Sequence, residues 1–287
     1  ESGSSATKAA GEASSSGVDC AGKKSLKASG STAQANAMTR FVNAYEQACS
    51  GYTLNYTSNG SGAGVSEFVG KQTDIGGSDS PLSKDKGEYD KAAERCGSPA
   101  WNLPVVFGPI AVTYNLEGVD GLVLDGPTAA KIFNGTIKTW DDPAIKKLNP
   151  NAKLPSTAIT VVRRSDGSGT TFLWTNYLSK VSEEWKSKAG EGTAVEWPVG
   201  VGAKGNEGVA GNVAQTKNSI GYVEYAYAKQ NNLTYTALVN PAGKTVQPTV
   251  AAFQAAAANA DWSKEPGFRQ ILTAQPGDTS WPITSAT

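Results

Sequence analysis

Three times along this 287-residue chain a short β-rich run passes through glycine with serine or threonine into helical spacing, and that recurrence constrains the fold most. Residues 26–29 lead through Gly30-Ser31-Thr32 to Ala37, Met38, Phe41, Val42, Tyr45 and Ala48, which recur as on one helical face. Residues 53–57 lead through Asn59-Gly60-Ser61-Gly62-Ala63-Gly64 to Val65, Phe68 and Val69. Residues 159–163 lead through Arg164-Ser165-Asp166-Gly167-Ser168-Gly169-Thr170 to Phe172, Leu173, Tyr177 and Leu178. Strands alternating with helices predict an α/β fold with largely parallel sheets. Further strands are predicted at 73–76 (ending in Gly77-Ser78-Asp79), 105–114 (broken by Gly108 and Pro109), 220–225 and 236–239. Helices are predicted at 128–135, 143–148 and 249–260. Residues 1–17 are rich in Ser, Gly and Ala without apolar periodicity and read as a flexible tether.

Composition narrows the chemistry. Twenty-six Lys+Arg balance twenty-six Asp+Glu, so nothing favours a nucleic-acid partner, which needs a cationic surface. The chain has no histidine, which removes His-based triads, His general bases and His metal ligands. No metal site or cofactor is expected, and no apolar run approaches the roughly 20 residues of a membrane helix. Cys20, Cys49 and Cys96 show no metal-ligand spacing, so pairing of distant cysteines is expected in an oxidising compartment, with one thiol left over. Two glycine motifs carry no nucleotide site. Residues 200–205 fit GxGxxG but lie outside a first βαβ unit, and residues 17–23 fit GxxxxGK but are followed by Lys24 and then a strand. The seven tryptophans, Trp140, Trp185 and Trp197 among them, are better explained by core packing than by sugar stacking.

Any one Ser/Thr-Gly junction is an ordinary helix cap. Three at strand ends point to a ligand, because helix N-termini offer unpaired N–H groups, hydroxyls add donors, and open α/β sheets bind at that edge. The ligand that suits neutral donors is a tetrahedral oxyanion. Arg164 supplies a bidentate fork, and Asp166 can orient it. Asp79 would repel an anion unless the ligand carries a proton that the carboxylate accepts. Hydrogen phosphate carries one at neutral pH and sulfate does not, so Asp79 would discriminate between them.

At these residues the chain resembles the periplasmic phosphate-binding proteins of bacterial ABC transporters. The matching segments are ASGSTAQANA (28–37), NYTSNGSGAGVSEF (55–68), TDIGGSDSPLS (73–83), GTIKTWDDPAIKKLNP (135–150), VVRRSDGSGTTF (161–172) and IGYVEYAYAKQNNL (220–233). The resemblance implies a two-lobed periplasmic-binding-protein fold of type II, each lobe a mostly parallel sheet flanked by helices, with the ligand in the interlobe cleft. It places lobe I at 18–106, lobe II at 107–279, and a second crossover with a truncated return to lobe I at 280–287. Phosphate contacts are implied for Thr32, the backbone of Ala33, Ser61, Asp79, Arg164, Ser168, Gly169 and Thr170, supported by Asp166 and Ser31. The implied function is phosphate capture by a monomer and delivery to the transmembrane permease subunits. The implied location is the periplasm or the outer face of the cytoplasmic membrane, with a lipid anchor before Glu1 as an option. A phosphatase or phosphotransferase using Asp79 or Asp166, or a surface glycan-binding module, are the alternatives. A Cys49–Cys96 disulfide is expected, closing a loop of about 48 residues for about 3–4 kcal/mol, with Cys20 left over.

Overall fold

The computed structural model describes residues 19–287; the predicted tether lies outside them. The first body contains β1 (Ser25–Gly30), α1 (Ala35–Ala48), β2 (Thr53–Ser58), α2 (Ser61–Val69), β3 (Ile75–Gly77) and α3 (Glu88–Cys96). Its strands pair in the order β2-β1-β3, all parallel, with Ala28 opposite both Tyr56 and Ile75. All three strands therefore deliver their carboxyl ends to one edge.

The second body is larger. It runs through β4 (Ile110–Asn115), β5 (Val123–Leu124), α4 (Gly126–Phe133), α5 (Pro143–Leu148), β6 (Thr160–Arg164), α6 (Gly169–Val181) and α7 (Glu183–Lys188). It continues with β7 (Val201–Ala203), α8 (Gly205–Gln215), β8 (Ser219–Glu224), α9 (Tyr225–Gln230), β9 (Thr234–Tyr235), β10 (Ala237–Val239), β11 (Thr245–Val246) and α10 (Val250–Ala258). Its main sheet has the order β7-β6-β8-β4-β9, in which only β4 runs against the rest. A small sheet, β11-β10-β5, lies beside it. The core is aromatic: Trp140, Trp174, Trp185 and Trp281 are fully buried, and half-buried Trp197 packs on Trp185 and Tyr222. The faces of these five tryptophans are thus occupied by packing, whereas Trp101 is 67% exposed.

Two extended segments join the bodies. The N–H groups of Val105 and Val106 both donate to the Thr287 carbonyl, Thr287 N–H donates to Val106, and Gly108 N–H donates to Ser285. Residues 105–108 and 285–287 therefore pair as an antiparallel ribbon, with Phe107 opposite Ala286. The first body keeps a thin core of Leu82, Ala92 and Ala100. Beside it, Phe41, Ile75, Trp101, Leu103, Val105 and Phe268 line a cavity of about 510 Å³ and remain substantially exposed.

The expected Cys49–Cys96 bridge is not formed. Cys20 pairs with Cys49, with Cα atoms 5.5 Å apart, and Cys96 is free and exposed. The reason is strand direction. Because β1 and β2 are parallel, the chain entering β1 and the chain leaving α1 for β2 start from the same end, where Thr53 N–H donates to Lys24. Cys96 ends α3, the helix that packs against α2. A separation of 29 residues makes the bridge worth about 3.5 kcal/mol in the chain-entropy model. Ellman titration under denaturing, non-reducing conditions should count one thiol, and three after reduction. A count of three before reduction would contradict the pairing.

Candidate functional site

The site is assembled where the carboxyl ends of both sheets meet. In the first body, β1 stops at Gly30, which must be glycine: its φ is +143°, and a Cβ there would sit 2.0 Å from the Gly77 carbonyl oxygen. Ser31 and Thr32 follow, 1% and 2% exposed. Ser61 opens α2 after β2, and Asp79 lies two residues past β3. Tyr56 holds the first loop by donating to the Ser31 carbonyl at 2.8 Å while accepting from Gln34 Nε2.

Asp79 is 3% exposed and its carboxylate collects hydroxyl donors. Ser31 Oγ lies 2.7 Å from both oxygens, Thr287 Oγ1 donates to Oδ1 at 2.6 Å, and Ser61 Oγ reaches Oδ2 at 3.5 Å. Burial pushes the Asp79 carboxyl above the ordinary carboxylate range, opposed by Ser31, Thr287, the Arg164 charge and Ser61. Every partner here donates, so the carboxylate is held as an acceptor.

In the second body Arg164 ends β6 with its side chain 2% exposed, and it grips Asp166 bidentately: Nε to Oδ1 at 2.7 Å and an Nη to Oδ2 at 2.5 Å. Asp166 Oδ1 also accepts from Gly205 N–H at 3.1 Å. Burial alone would raise Asp166, but the hydrogen bonds and charge of Arg164, with the Gly205 N–H, hold it below the ordinary carboxylate range. Ser168 caps α6 by accepting from Thr171 N–H, and Gly169 and Thr170 form the buried first turn.

The two bodies touch through backbone. Gly62 N–H donates to the Gly167 carbonyl at 3.0 Å. A Cβ on Gly169 would meet Ser61 Oγ at 2.5 Å and Asp79 Cβ at 2.6 Å, so the N-termini of α2 and α6 face each other at a distance only glycine allows. Thr32, Ser61, Asp79, Arg164, Ser168, Gly169 and Thr170 are thereby buried where the two bodies meet, with Ser31 bonded to Asp79 and Asp166 bonded to Arg164. The Ala33 N–H is engaged internally, donating to Ser31 Oγ at 3.0 Å.

Three residues at the cleft escape sequence reasoning. Asn206 at the start of α8 bonds Thr32 and Thr170, and Tyr227 donates to the Thr32 carbonyl at 2.6 Å. Glu224 ends β8, caps α9 through Ala226 N–H, and is pushed up to about 8 by burial, with the Asp79 charge adding to the rise. Gly205, the last residue of the 200–205 glycine stretch, opens α8 and donates its N–H to Asp166. Among the described residues no group of three His, Cys, Asp or Glu is placed to hold a metal, and no helix is long and apolar enough to cross a membrane.

The N-termini of α2, α6 and α8, the Arg164 guanidinium and the buried Asp79 carboxylate thus meet between two α/β bodies joined by a paired ribbon. A PBP superfamily domain matches residues 4–285. Phosphate-binding protein PstS 3 of Mycobacterium tuberculosis is 60% identical over 226 residues, 79% of this chain and 60% of the relative. Phosphate-binding protein PstS of Pasteurella multocida is 50% identical over 249 residues, 86% of this chain and 70% of the relative. A human phosphate binding apolipoprotein superposes with a TM-score of 0.66 at 20% identity, covering 91% of this chain and 79% of the other, a likeness of fold. The chain belongs to the PBP superfamily and, within it, to the PstS proteins. It spans 60% of the length of the mycobacterial relatives.

Proposed function

We propose that the chain captures inorganic phosphate, as HPO4 or H2PO4 anions, and delivers it to the transmembrane permease subunits of an ABC-type phosphate transporter. It works as a monomer in the periplasm or at the outer face of the cytoplasmic membrane. Residues 18–106 form lobe I, 107–279 lobe II, and 280–287 the second crossover, with phosphate buried when the lobes close. The observation that carries this reading is Asp79, a buried carboxylate bound only by donors at the centre of an oxyanion site. A carboxylate is tolerable there when the anion brings a proton to it. Thr32, Ser61, Ser168, Gly169 and Thr170 replace the hydration shell with neutral donors, joined by the Ala33 N–H once it leaves Ser31 Oγ, and Arg164 supplies the one full positive charge.

Binding rather than catalysis is favoured because Asp79 and Asp166 are both tied up. Asp79 is surrounded by hydroxyls and Asp166 by the Arg164 fork and Gly205, so neither is free to attack phosphorus. The test is a fluorescence titration of the purified chain with phosphate, alongside a turnover assay with a chromogenic phosphate monoester. One-to-one phosphate binding without ester hydrolysis is expected. Hydrolysis, or no response to phosphate, would overturn the reading.

A further inference from the structure

Asn206 is fully buried and stands outside the set of residues assigned to the anion. Its amide has one orientation that suits its neighbours. Glu224 N–H donates to Oδ1 at 2.8 Å, so Nδ2 points the other way and donates to Thr32 Oγ1 at 2.7 Å and to Thr170 Oγ1 at 3.2 Å. The backbone N–H of Asn206 also reaches Thr32 Oγ1, at 3.2 Å.

A threonine hydroxyl has two acceptor lone pairs and one proton. Both lone pairs of Thr32 Oγ1 face N–H donors from Asn206, which leaves only the proton for any further partner. Thr32 follows β1 of the first body, whereas Asn206 opens α8 of the second, so these bonds span the cleft and require it to be closed. Tyr227, from the same side as Asn206, adds a third bond to the same residue.

We propose that Asn206 is the latch and orienting residue of the closed cleft, joining the two bodies through Thr32 and fixing the Thr32 hydroxyl as an obligate donor toward the anion. The inference deepens the phosphate reading and rests on it. Because the bonds form only on closure, they act on the lifetime of the closed complex, so their loss should appear in koff.

The test measures kon and koff for phosphate by stopped-flow tryptophan fluorescence on the full chain, Asn206→Ala and Asn206→Asp, with circular dichroism and thermal unfolding as checks of folding. Asn206→Ala should raise koff about 10- to 100-fold with kon within about threefold, the range expected when buried polar groups lose their partner. Asn206→Asp keeps the size but replaces a donor with an acceptor, and should raise koff at least as much. In a double-mutant cycle with Thr32→Val the effects should be strongly non-additive. A purely structural role would lower the melting temperature and leave koff unchanged. That result, or additivity with Thr32→Val, overturns the inference. Should the variants fail to fold, hydrogen exchange on the parent chain decides: phosphate should slow exchange of the Asn206 backbone amide at least about tenfold, as closure commits it to Thr32, and unchanged exchange overturns the inference. A parent chain that does not bind phosphate removes the phosphate reading and this inference together. A parent that binds, with Asn206 variants that behave like it, removes the inference alone.

Discussion

Arg164→Ala should weaken phosphate binding by about a hundredfold, the largest single loss expected in this cleft. The guanidinium side chain is 2% exposed and held at two points by Asp166, so it costs little further ordering when an anion arrives. Removing it takes away the only full positive charge facing the anion among the proposed ligands. It also leaves Asp166 as an unpaired carboxylate beside the anion, which compounds the loss of attraction with repulsion. Arg164→Lys should recover part of the affinity, since an ammonium restores charge without the two-point fork. The check is a phosphate titration of each variant after its fold is confirmed. A change below threefold in Arg164→Ala would contradict the assignment.

Asp79→Asn should act on selectivity more than on strength. The carboxylate is buried, its proton affinity is raised chiefly by that burial, and its hydrogen-bond partners Ser31, Ser61 and Thr287 are donors. Phosphate satisfies it by donating its own proton; sulfate can only oppose it with negative charge. An amide removes the repulsion and can both donate and accept. Phosphate affinity should stay within about tenfold of the parent, while the preference over sulfate narrows by about a hundredfold, in keeping with sites built to pair one hydrogen-bonding group. Unchanged sulfate rejection in this variant would remove Asp79 from the discriminating role.

Much of this site is legible from the residue string because each part is local. Gly30-Ser31-Thr32, Ser61-Gly62 and Ser168-Gly169-Thr170 sit at strand-to-helix junctions, and once the strands are parallel their placement at one edge follows. Arg164 and Asp166 are two residues apart and pair as that spacing permits. The parts that were missed depend on contacts across long stretches of chain. Asn206 meets Thr32 over a separation of 174 residues and Tyr227 over 195, and no local pattern encodes either. Helix α8 escaped notice because Gly205, Gly208 and Gly211 lower its propensity, and tertiary packing of Val209, Ala210 and Val213 forms it instead. The disulfide failed for a related reason. Which cysteines meet is set by strand direction at the start of β1 and β2, which the placement of Cys49 at a helix end and Cys96 in a polar stretch does not reveal.

The central claim is that a buried carboxylate selects a protonated oxyanion, and competition calorimetry tests it most directly. The purified chain is titrated at neutral pH with phosphate, first alone and then in the presence of a large excess of sulfate. The account predicts tight one-to-one phosphate binding whose affinity sulfate leaves unchanged apart from ionic strength. Sulfate that competes on equal terms, or phosphate that gives no saturable heat, would contradict it.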